Sequence, residues 1–127
     1  MQTVDGRTIT PYLKNPATKD DTKILLWHYP NNWTNINLSG TSWASALRKG
    51  NYKLVYLHKT AKLELYDLSK DIGEAHDLSQ SHPEKLKEMA MLMTAELKKR
   101  KAPMPTYKAS RKPIPWPDEA LIQRSKD

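Results

Sequence analysis

The 127-residue sequence contains no cysteine, no phenylalanine and only four glycines. Without cysteine the chain can form no disulfide bond, thiolate zinc site or thiol nucleophile. No apolar run approaches the roughly 18 residues that a transmembrane helix needs, so we expect no membrane span. The residues from Met1 to Asp5 do not resemble a secretory signal peptide. An apolar fraction of 38% with nine prolines predicts one domain with a modest core.

Acidic residues are missing from one stretch near the C-terminus, which carries the excess of positive charge. Seven of the 21 lysines and arginines lie there, and the other fourteen balance the fourteen acidic residues. The seven are Lys98, Lys99, Arg100, Lys101, Lys108, Arg111 and Lys112. Basic residues favour a helix C-terminus, and a basic Pro-rich tail is usually solvated, so we expect no nucleic-acid partner. Attraction of an anionic glycan is the better use of this charge.

Short runs of β-forming residues in near alternation predict a small sheet. The predicted strands are Lys23–Tyr29, Ala44–Lys49, Tyr52–Leu57 and Leu63–Asp67. Gly50 suits the turn between the second and third strands, and Gly73 is predicted as the left-handed position of the turn after the fourth. Strands joined this closely pair antiparallel. The first run is almost continuously apolar, which is typical of a central strand buried on both faces.

A long helix is predicted from about His82 to Arg100. Ser81 and Glu84 have the spacing of a capping box at its start. One apolar stripe follows the helical period and would pack on the sheet: Leu86, Met89, Ala90, Met93 and Leu97. The prolines after Ala102 predict an extended tail. The expected fold class is therefore α+β, with an antiparallel sheet of about four strands, one long helix on one face and an extended Pro-rich tail.

Several motifs occur in the order found in one enzyme family. They are Ala46-Leu47-Arg48-Lys49-Gly50-Asn51-Tyr52-Lys53-Leu54, Glu64-Leu65-Tyr66-Asp67-Leu68 and Asp71-Ile72-Gly73-Glu74, flanked by Leu26-Trp27-His28-Tyr29-Pro30 and Lys101-Ala102-Pro103-Met104-Pro105. On these residues the chain, from about Asp5 to Pro105, resembles the C-terminal subdomain of the type I sulfatases. This family comprises the alkaline-phosphatase-like arylsulfatases and glycan sulfatases.

The resemblance implies a domain plan for the chain. Residues 1–16 would be a remnant of the end of the catalytic domain, 17–101 the C-terminal subdomain and 102–127 the extended basic tail. The complete enzyme would hydrolyse sulfuric esters in the periplasm or outside the cell, with calcium and a formylglycine in its catalytic domain.

The chain itself lacks the catalytic motif that the resemblance requires. The family makes its formylglycine from the first residue of Cys/Ser-x-Pro-x-Arg, whereas the nearest stretch here, residues 81–85, has Lys85 in place of the Arg and is explained as a helix start. Asp20 and Asp21 are adjacent like the family's metal-binding pair, but they lie in a polar linker and are interpreted as a solvated turn. We therefore expect no catalytic residue, metal or cofactor in this chain, and no activity by itself.

Three residues are candidates for substrate binding, because the resemblance implies that loops of this sheet wall one side of the substrate cleft. They are His28 at the end of the first strand, Trp33 in a polar loop and Arg48 at a hairpin. A sulfated sugar is anionic and rich in hydroxyls, which suits a His donor, an aromatic ring and a guanidinium fork. Each has a structural alternative: His28 could bond a backbone carbonyl, Trp33 could fold onto the sheet edge, and Arg48 could pair with an acid of the parent domain.

Two functions remain open at this point. The chain is either the C-terminal part of a sulfatase, with its own catalytic domain as partner and a sulfated carbohydrate as substrate, or a free-standing α+β module that binds an anionic polymer. A subdomain separated from its partner would expose an apolar sheet face and could self-associate through it. A module would cover that face.

Overall fold

The computed structural model describes residues 8–18, 20–30 and 43–124. Within these ranges it contains four strands, β1 (Ile24–Tyr29), β2 (Ala44–Lys49), β3 (Tyr52–Leu57) and β4 (Lys62–Asp67), and three helices, α1 (Thr10–Lys14), α2 (Pro83–Lys99) and α3 (Pro117–Arg124). The strands form one sheet in the order β1-β2-β3-β4, and every neighbouring pair is antiparallel. The predicted α+β class and the four strands are therefore confirmed. None of the described helices is long and apolar enough to cross a bilayer.

The core lies between one face of the sheet and α2. The predicted stripe of the helix is buried, with Leu86, Met89 and Met93 among its members. These side chains share one apolar cluster with Leu47 and Leu54 of the sheet. The strand period of two and the helix period of 3.6 thus place both apolar sets on facing surfaces.

The start of α2 differs from the prediction. Its N-cap residue is His82, and no side chain caps the helix. The Ser81 hydroxyl contacts the Leu78 carbonyl at 3.3 Å and the His82 ring at 2.9 Å instead. The predicted capping box is therefore wrong, because local contacts of Ser81 compete for its oxygen.

The turn after β4 also differs from the prediction. Glu74, and not Gly73, has the positive φ of 55°. The Glu74 carboxylate lies 2.5 Å from the Lys53 ammonium, and the Asp71 carboxylate accepts hydrogen bonds from the N–H groups of Ala75 and His76. These contacts hold the turn with Glu74 in the left-handed conformation, so no glycine is needed there.

The segment after Ala102 is only partly extended, so the prediction of an extended tail is wrong at residues 117–124, where α3 forms. Pro117 is the first residue of α3, a position that needs no backbone N–H donor. The Thr94 hydroxyl of α2 donates to the Asp118 carboxylate at 2.8 Å, and Tyr56 donates to the Pro115 carbonyl at 2.7 Å. Ile114 is buried in the core. These contacts attach the segment to the domain, which the count of prolines could not indicate.

β1 is an edge strand of the described sheet, and the prediction of a central strand buried on both faces is wrong. Ile24 and Leu26 pack against the core. Trp27 and Tyr29 point to the opposite face and are 52% and 64% exposed. An apolar run shows that a strand is hydrophobic, but not how many of its faces the chain itself covers.

The sheet face opposite α2 carries a second set of apolar side chains. The strand register places Trp27 beside Ala46 and Ala46 beside Val55, and in the next row Tyr29 beside Ala44 and Ala44 beside Leu57. We call these six residues the outer apolar face. Trp27 and Tyr29 lie at its exposed end, on the edge strand.

Candidate functional site

His28 lies on the inward face of β1, and its ring nitrogens contact two distant parts of the chain. Nδ1 is 2.8 Å from the Ser45 hydroxyl oxygen on β2, and Nε2 is 2.9 Å from the Pro103 carbonyl beyond α2. The β1–β2 register places His28 directly opposite Ser45. Both ring nitrogens therefore have protein partners. This is the geometry of the structural alternative for His28, and its substrate role stays a prediction.

Ser45 also contacts a second histidine. Its oxygen is 2.8 Å from Nε2 of His58, and the two imidazole rings have centroids 5.6 Å apart. Ser45 and His58 are both 0% exposed. We call His28, Ser45 and His58 the His–Ser–His chain. Sequence reasoning missed two of its members, although Ser45 is a polar residue among the inward positions of an apolar strand.

When both histidines are neutral, the hydrogen-bond partners of the His–Ser–His chain determine where its hydrogens lie. A carbonyl only accepts, so Nε2–H of His28 donates to Pro103 and Nδ1 accepts from the Ser45 hydroxyl. The Ser45 oxygen then accepts from Nε2–H of His58. Nδ1 of His58 is left as a buried acceptor without a partner among the described residues. Along the His–Ser–His chain, each hydrogen bond is therefore donated in the direction that leads from His58 through Ser45 and His28 to Pro103.

Burial first, and the positive charge that His28 can carry second, together lower the pKa of His58 to about 4. His58 is consequently neutral at pH 7, as the hydrogen positions require. An imidazolium there would have to remain charged without water in an apolar surrounding.

The His–Ser–His chain contains a serine beside two histidines, as nucleophilic catalysis requires, but the serine is inaccessible. A nucleophile must reach the reacting atom of its substrate, and the Ser45 side chain has no exposed surface. The His–Ser–His chain instead links β1, β2, the end of β3 and the segment after α2 through polar contacts. Its role is therefore structural: it is an internal tie, a set of hydrogen bonds that links distant segments of the protein.

Arg48 occupies a different environment. It is exposed at the end of β2, and its Nε donates to the Gly50 carbonyl at 3.2 Å. Arg48 lines an open cavity of about 600 Å3 between α1 and the β2–β3 turn. Tyr12 and Lys23 also line it, with the Lys23 ammonium 4.8 Å from the centre of the Tyr12 ring. The cavity thus combines two cations with an aromatic surface.

Two acidic residues, Asp20 and Asp21, line the same cavity. The Asp20 carboxylate accepts hydrogen bonds from the backbone N–H and the hydroxyl of Thr22, at 3.0 and 2.5 Å. The predicted turn is therefore present at this position. Among the described residues there is no group of three or more acidic or histidine side chains that could hold a metal ion.

The structure does not bring the sequence-predicted site residues together. His28 faces α2, whereas Arg48 belongs to the alternating set on the opposite face of the sheet. Trp33 lies outside the described residues. Of the two predicted residues that the structure describes, Arg48 is the one exposed beside a cavity, so it has better access to a ligand than His28.

Comparison with known proteins relates the chain to parts of longer proteins. No model of a known protein family matches it. It is 26% identical over 132 residues to a sulfatase of Formosa agariphila, a match that covers 98% of this chain and 24% of that protein. It is 49% identical over 47 residues to an uncharacterised sulfatase of Schizosaccharomyces pombe, covering 35% of this chain and 8% of that protein. The chain thus spans about a quarter of the length of the Formosa agariphila protein. Its match to the Schizosaccharomyces pombe protein spans 8% of that protein.

The fold is also similar to part of a solved structure. That structure is of a protein in complex with its substrate, D-glucosamine-2-N,6-O-disulfate. The TM-score is 0.57 at 22% identity, and the similarity covers 80% of this chain and 21% of the other. The shared feature is the fold, which makes up about a fifth of the larger protein.

Proposed function

We propose that this chain, which is homologous to part of the sulfatases, forms the C-terminal subdomain of a sulfatase and is inactive by itself. The observation that supports this most directly is the unequal coverage of the match. Almost the whole chain, 98%, pairs with only 24% of the Formosa agariphila sulfatase. A complete enzyme of that size has room for a separate catalytic domain, which would hold the formylglycine and the calcium ion. We place the complete enzyme in the periplasm or outside the cell.

The outer apolar face supports a partner domain on the side of the sheet opposite α2. Trp27 and Tyr29 are large, mostly exposed side chains at its edge. Arg48, Lys53 and Glu64 occupy the same face. An apolar patch with a charged rim is typical of an interaction surface. The proposed occupant is the catalytic domain, and in its absence the face would pair with a second copy of the chain.

The proposed substrate is a sulfated carbohydrate, and the chain would contribute one wall of its cleft. The structural neighbour's substrate is a sulfated amino sugar, which supports this class. Arg48 is the best-placed residue of this chain, since a guanidinium binds an anionic oxygen group through two parallel hydrogen bonds. His28 and Trp33 are the other two residues proposed for substrate binding.

A hybrid enzyme tests the proposal. The matched segment of the Formosa agariphila sulfatase would be replaced by this chain, and turnover of a small aryl sulfate would be measured with calcium present. We expect the hybrid to retain turnover and the isolated chain to show none. A matched hybrid carrying Trp27→Asp should lose its assembly, because a charge would enter the proposed interface.

Two results would contradict the proposal. One is sulfate-ester turnover by the isolated chain, since the chain would then contain its own catalytic site. The other is a hybrid whose inserted segment folds but remains undocked, detected as rapid proteolysis at the junction. In that case the free-standing binding module would be favoured.

A further inference from the structure

Residues 106–113 form a short loop closed at its base, which we call the basic hairpin. Thr106 and Pro113 make an antiparallel bridge. The Tyr107 N–H donates to the Lys112 carbonyl at 2.9 Å, and the Arg111 N–H donates to the Tyr107 carbonyl at 2.8 Å. Arg111 has a φ of 53°, a left-handed conformation that few residues other than glycine adopt. The loop is therefore held in one shape by its own backbone bonds.

Three exposed cations project from the basic hairpin: Lys108, Arg111 and Lys112. No carboxylate within the described ranges forms an ion pair with any of them. The cations at the end of α2, in contrast, have an acidic partner, since Lys99 and Arg100 lie 3.9 and 3.5 Å from the Glu96 carboxylate. The charge of the basic hairpin is thus available to an anionic partner.

An open cavity of about 580 Å3 lies beside the basic hairpin. Its wall combines two aromatic rings with polar side chains of the hairpin and α3: Tyr107, Trp116, Ser110, Lys112, Glu119 and Gln123. The Lys98 ammonium lies 5.0 Å from the centre of the Trp116 ring, which adds a further cation to the neighbourhood. The Glu119 carboxylate accepts a hydrogen bond from the Trp116 N–H at 3.1 Å, so it is fixed at the start of α3.

We propose that the basic hairpin and this cavity bind a sulfated polysaccharide. Sulfate groups pair with Lys108, Arg111 and Lys112 through charge-assisted hydrogen bonds. Sugar rings lie against the exposed parts of Tyr107 and Trp116, which are amphipathic aromatic side chains suited to such contacts.

The hydrogen-bond acceptors in the cavity favour this ligand class over single-stranded DNA. The Glu119 carboxylate and the Gln123 amide can accept hydrogen bonds from sugar hydroxyls. The deoxyribose units within a strand of single-stranded DNA have no free hydroxyl groups to donate such bonds. The proposal goes beyond the proposed function, because binding at the hairpin needs no catalytic domain.

Titration of the 127-residue chain with a heparin oligosaccharide of defined length, at several salt concentrations, tests the proposal. The triple variant Lys108→Glu, Arg111→Glu, Lys112→Glu should bind at least about tenfold more weakly and show a flatter salt dependence, since fewer counterions are released. The matched control Lys59→Glu, Lys70→Glu, Lys87→Glu changes the net charge equally at other exposed positions. It should stay within about twofold of the native affinity, because screening limits remote charges.

A second variant separates the cavity from the net charge. Gln123→Ala leaves every charge in place and should weaken heparin binding by about threefold, the loss of one neutral hydrogen bond, without affecting binding of single-stranded DNA. Should the triple variant not fold by circular dichroism, Lys108→Gln replaces it, with an expected fall of about one in the salt slope.

Three outcomes would overturn the proposal. The first is the absence of heparin binding by the native chain. The second is an equal loss of affinity in the control, which would show an effect of net charge alone. The third is equal affinity for single-stranded DNA together with no effect of Gln123→Ala, which would assign the hairpin to anions in general. None of these outcomes bears on the hybrid enzyme, so the two proposals fail separately.

Discussion

The imidazole of His28 and the hydroxyl of Ser45 lie 2.8 Å apart on directly paired positions of β1 and β2. Through the same imidazole, β1 is bonded to the Pro103 carbonyl, 75 positions further along the chain. The edge strand is thereby tied to the segment that follows the long helix. Ser45 is the central member of this tie, because it contacts both histidines.

Ser45→Ala should lower the free energy of unfolding by about 1–3 kcal/mol, because it leaves a ring nitrogen of the fully buried His58 and one of the half-buried His28 without partners. Urea denaturation followed by circular dichroism measures the change. Thr60→Ala, in an exposed turn, is the matched control and should change stability little. Equal midpoints for the Ser45 variant and the native chain would show that the hydrogen bonds contribute nothing.

Stability should fall as the pH drops from 6.5 towards 4. The ordinary pKa of a histidine is 6.5, and burial lowers that of His58 to about 4 in the folded state. Between these values the unfolded chain binds the additional proton, so stability rises with pH by at most about 1.4 kcal/mol per pH unit.

His58→Gln should remove this part of the pH dependence, measured as urea midpoints at pH 7, 6 and 5. His76→Gln is the control, since the His76 side chain is 82% exposed. If the His58 variant keeps the native slope, another group is responsible for it.

Met93→Asp should prevent the folding of the domain. Met93 is 0% exposed on the sheet-facing stripe of α2, and an unpaired carboxylate there would destabilise the fold by more than about 4 kcal/mol. Met91→Asp, two residues away and 55% exposed, is the matched control and should melt near the native temperature. An unchanged melting temperature for Met93→Asp would show that the stripe is assigned wrongly.

The isolated chain should self-associate through the outer apolar face, because Trp27 and Tyr29 can bury their exposed surface against a second copy. Sedimentation velocity over a range of concentrations should show dimers that Trp27→Lys abolishes. Ile72→Lys, at a residue 80% exposed outside that face, should leave association unchanged. A native chain that stays monomeric at every concentration would argue against an open interface.

In the hybrid enzyme, Arg48→Ala should raise KM for a sulfated glycan by about tenfold and leave a small aryl sulfate nearly unaffected. This is the signature of a residue that binds a remote part of the substrate. His28→Ala should likewise raise KM for the glycan alone if His28 binds substrate, as the sequence predicts. If His28 acts only as an internal tie, its loss should lower the melting temperature and affect both substrates alike. An equal effect of Arg48→Ala on both substrates would move Arg48 to the sulfate pocket or to a structural role.

Local patterns accounted for much of the fold. The β2 and β3 bounds match the prediction, and α2 begins one residue later than expected and ends one residue earlier. Such elements are predictable because alternation and helical periodicity depend on neighbouring residues only. The site was less predictable: Arg48 lies exposed beside a cavity while its substrate role stays a prediction, and His58 was not connected with His28.

The sequence by itself determined the α+β class, the antiparallel meander and the buried stripe of the long helix, since each follows from periods within a few residues. Only the tertiary structure decided that β1 is an edge strand, that Glu74 takes the left-handed turn position, and that α3 docks through Thr94 and Asp118. It also decided the His–Ser–His chain. These features depend on contacts between segments far apart along the chain, where the burial of one segment by another outweighs local preference.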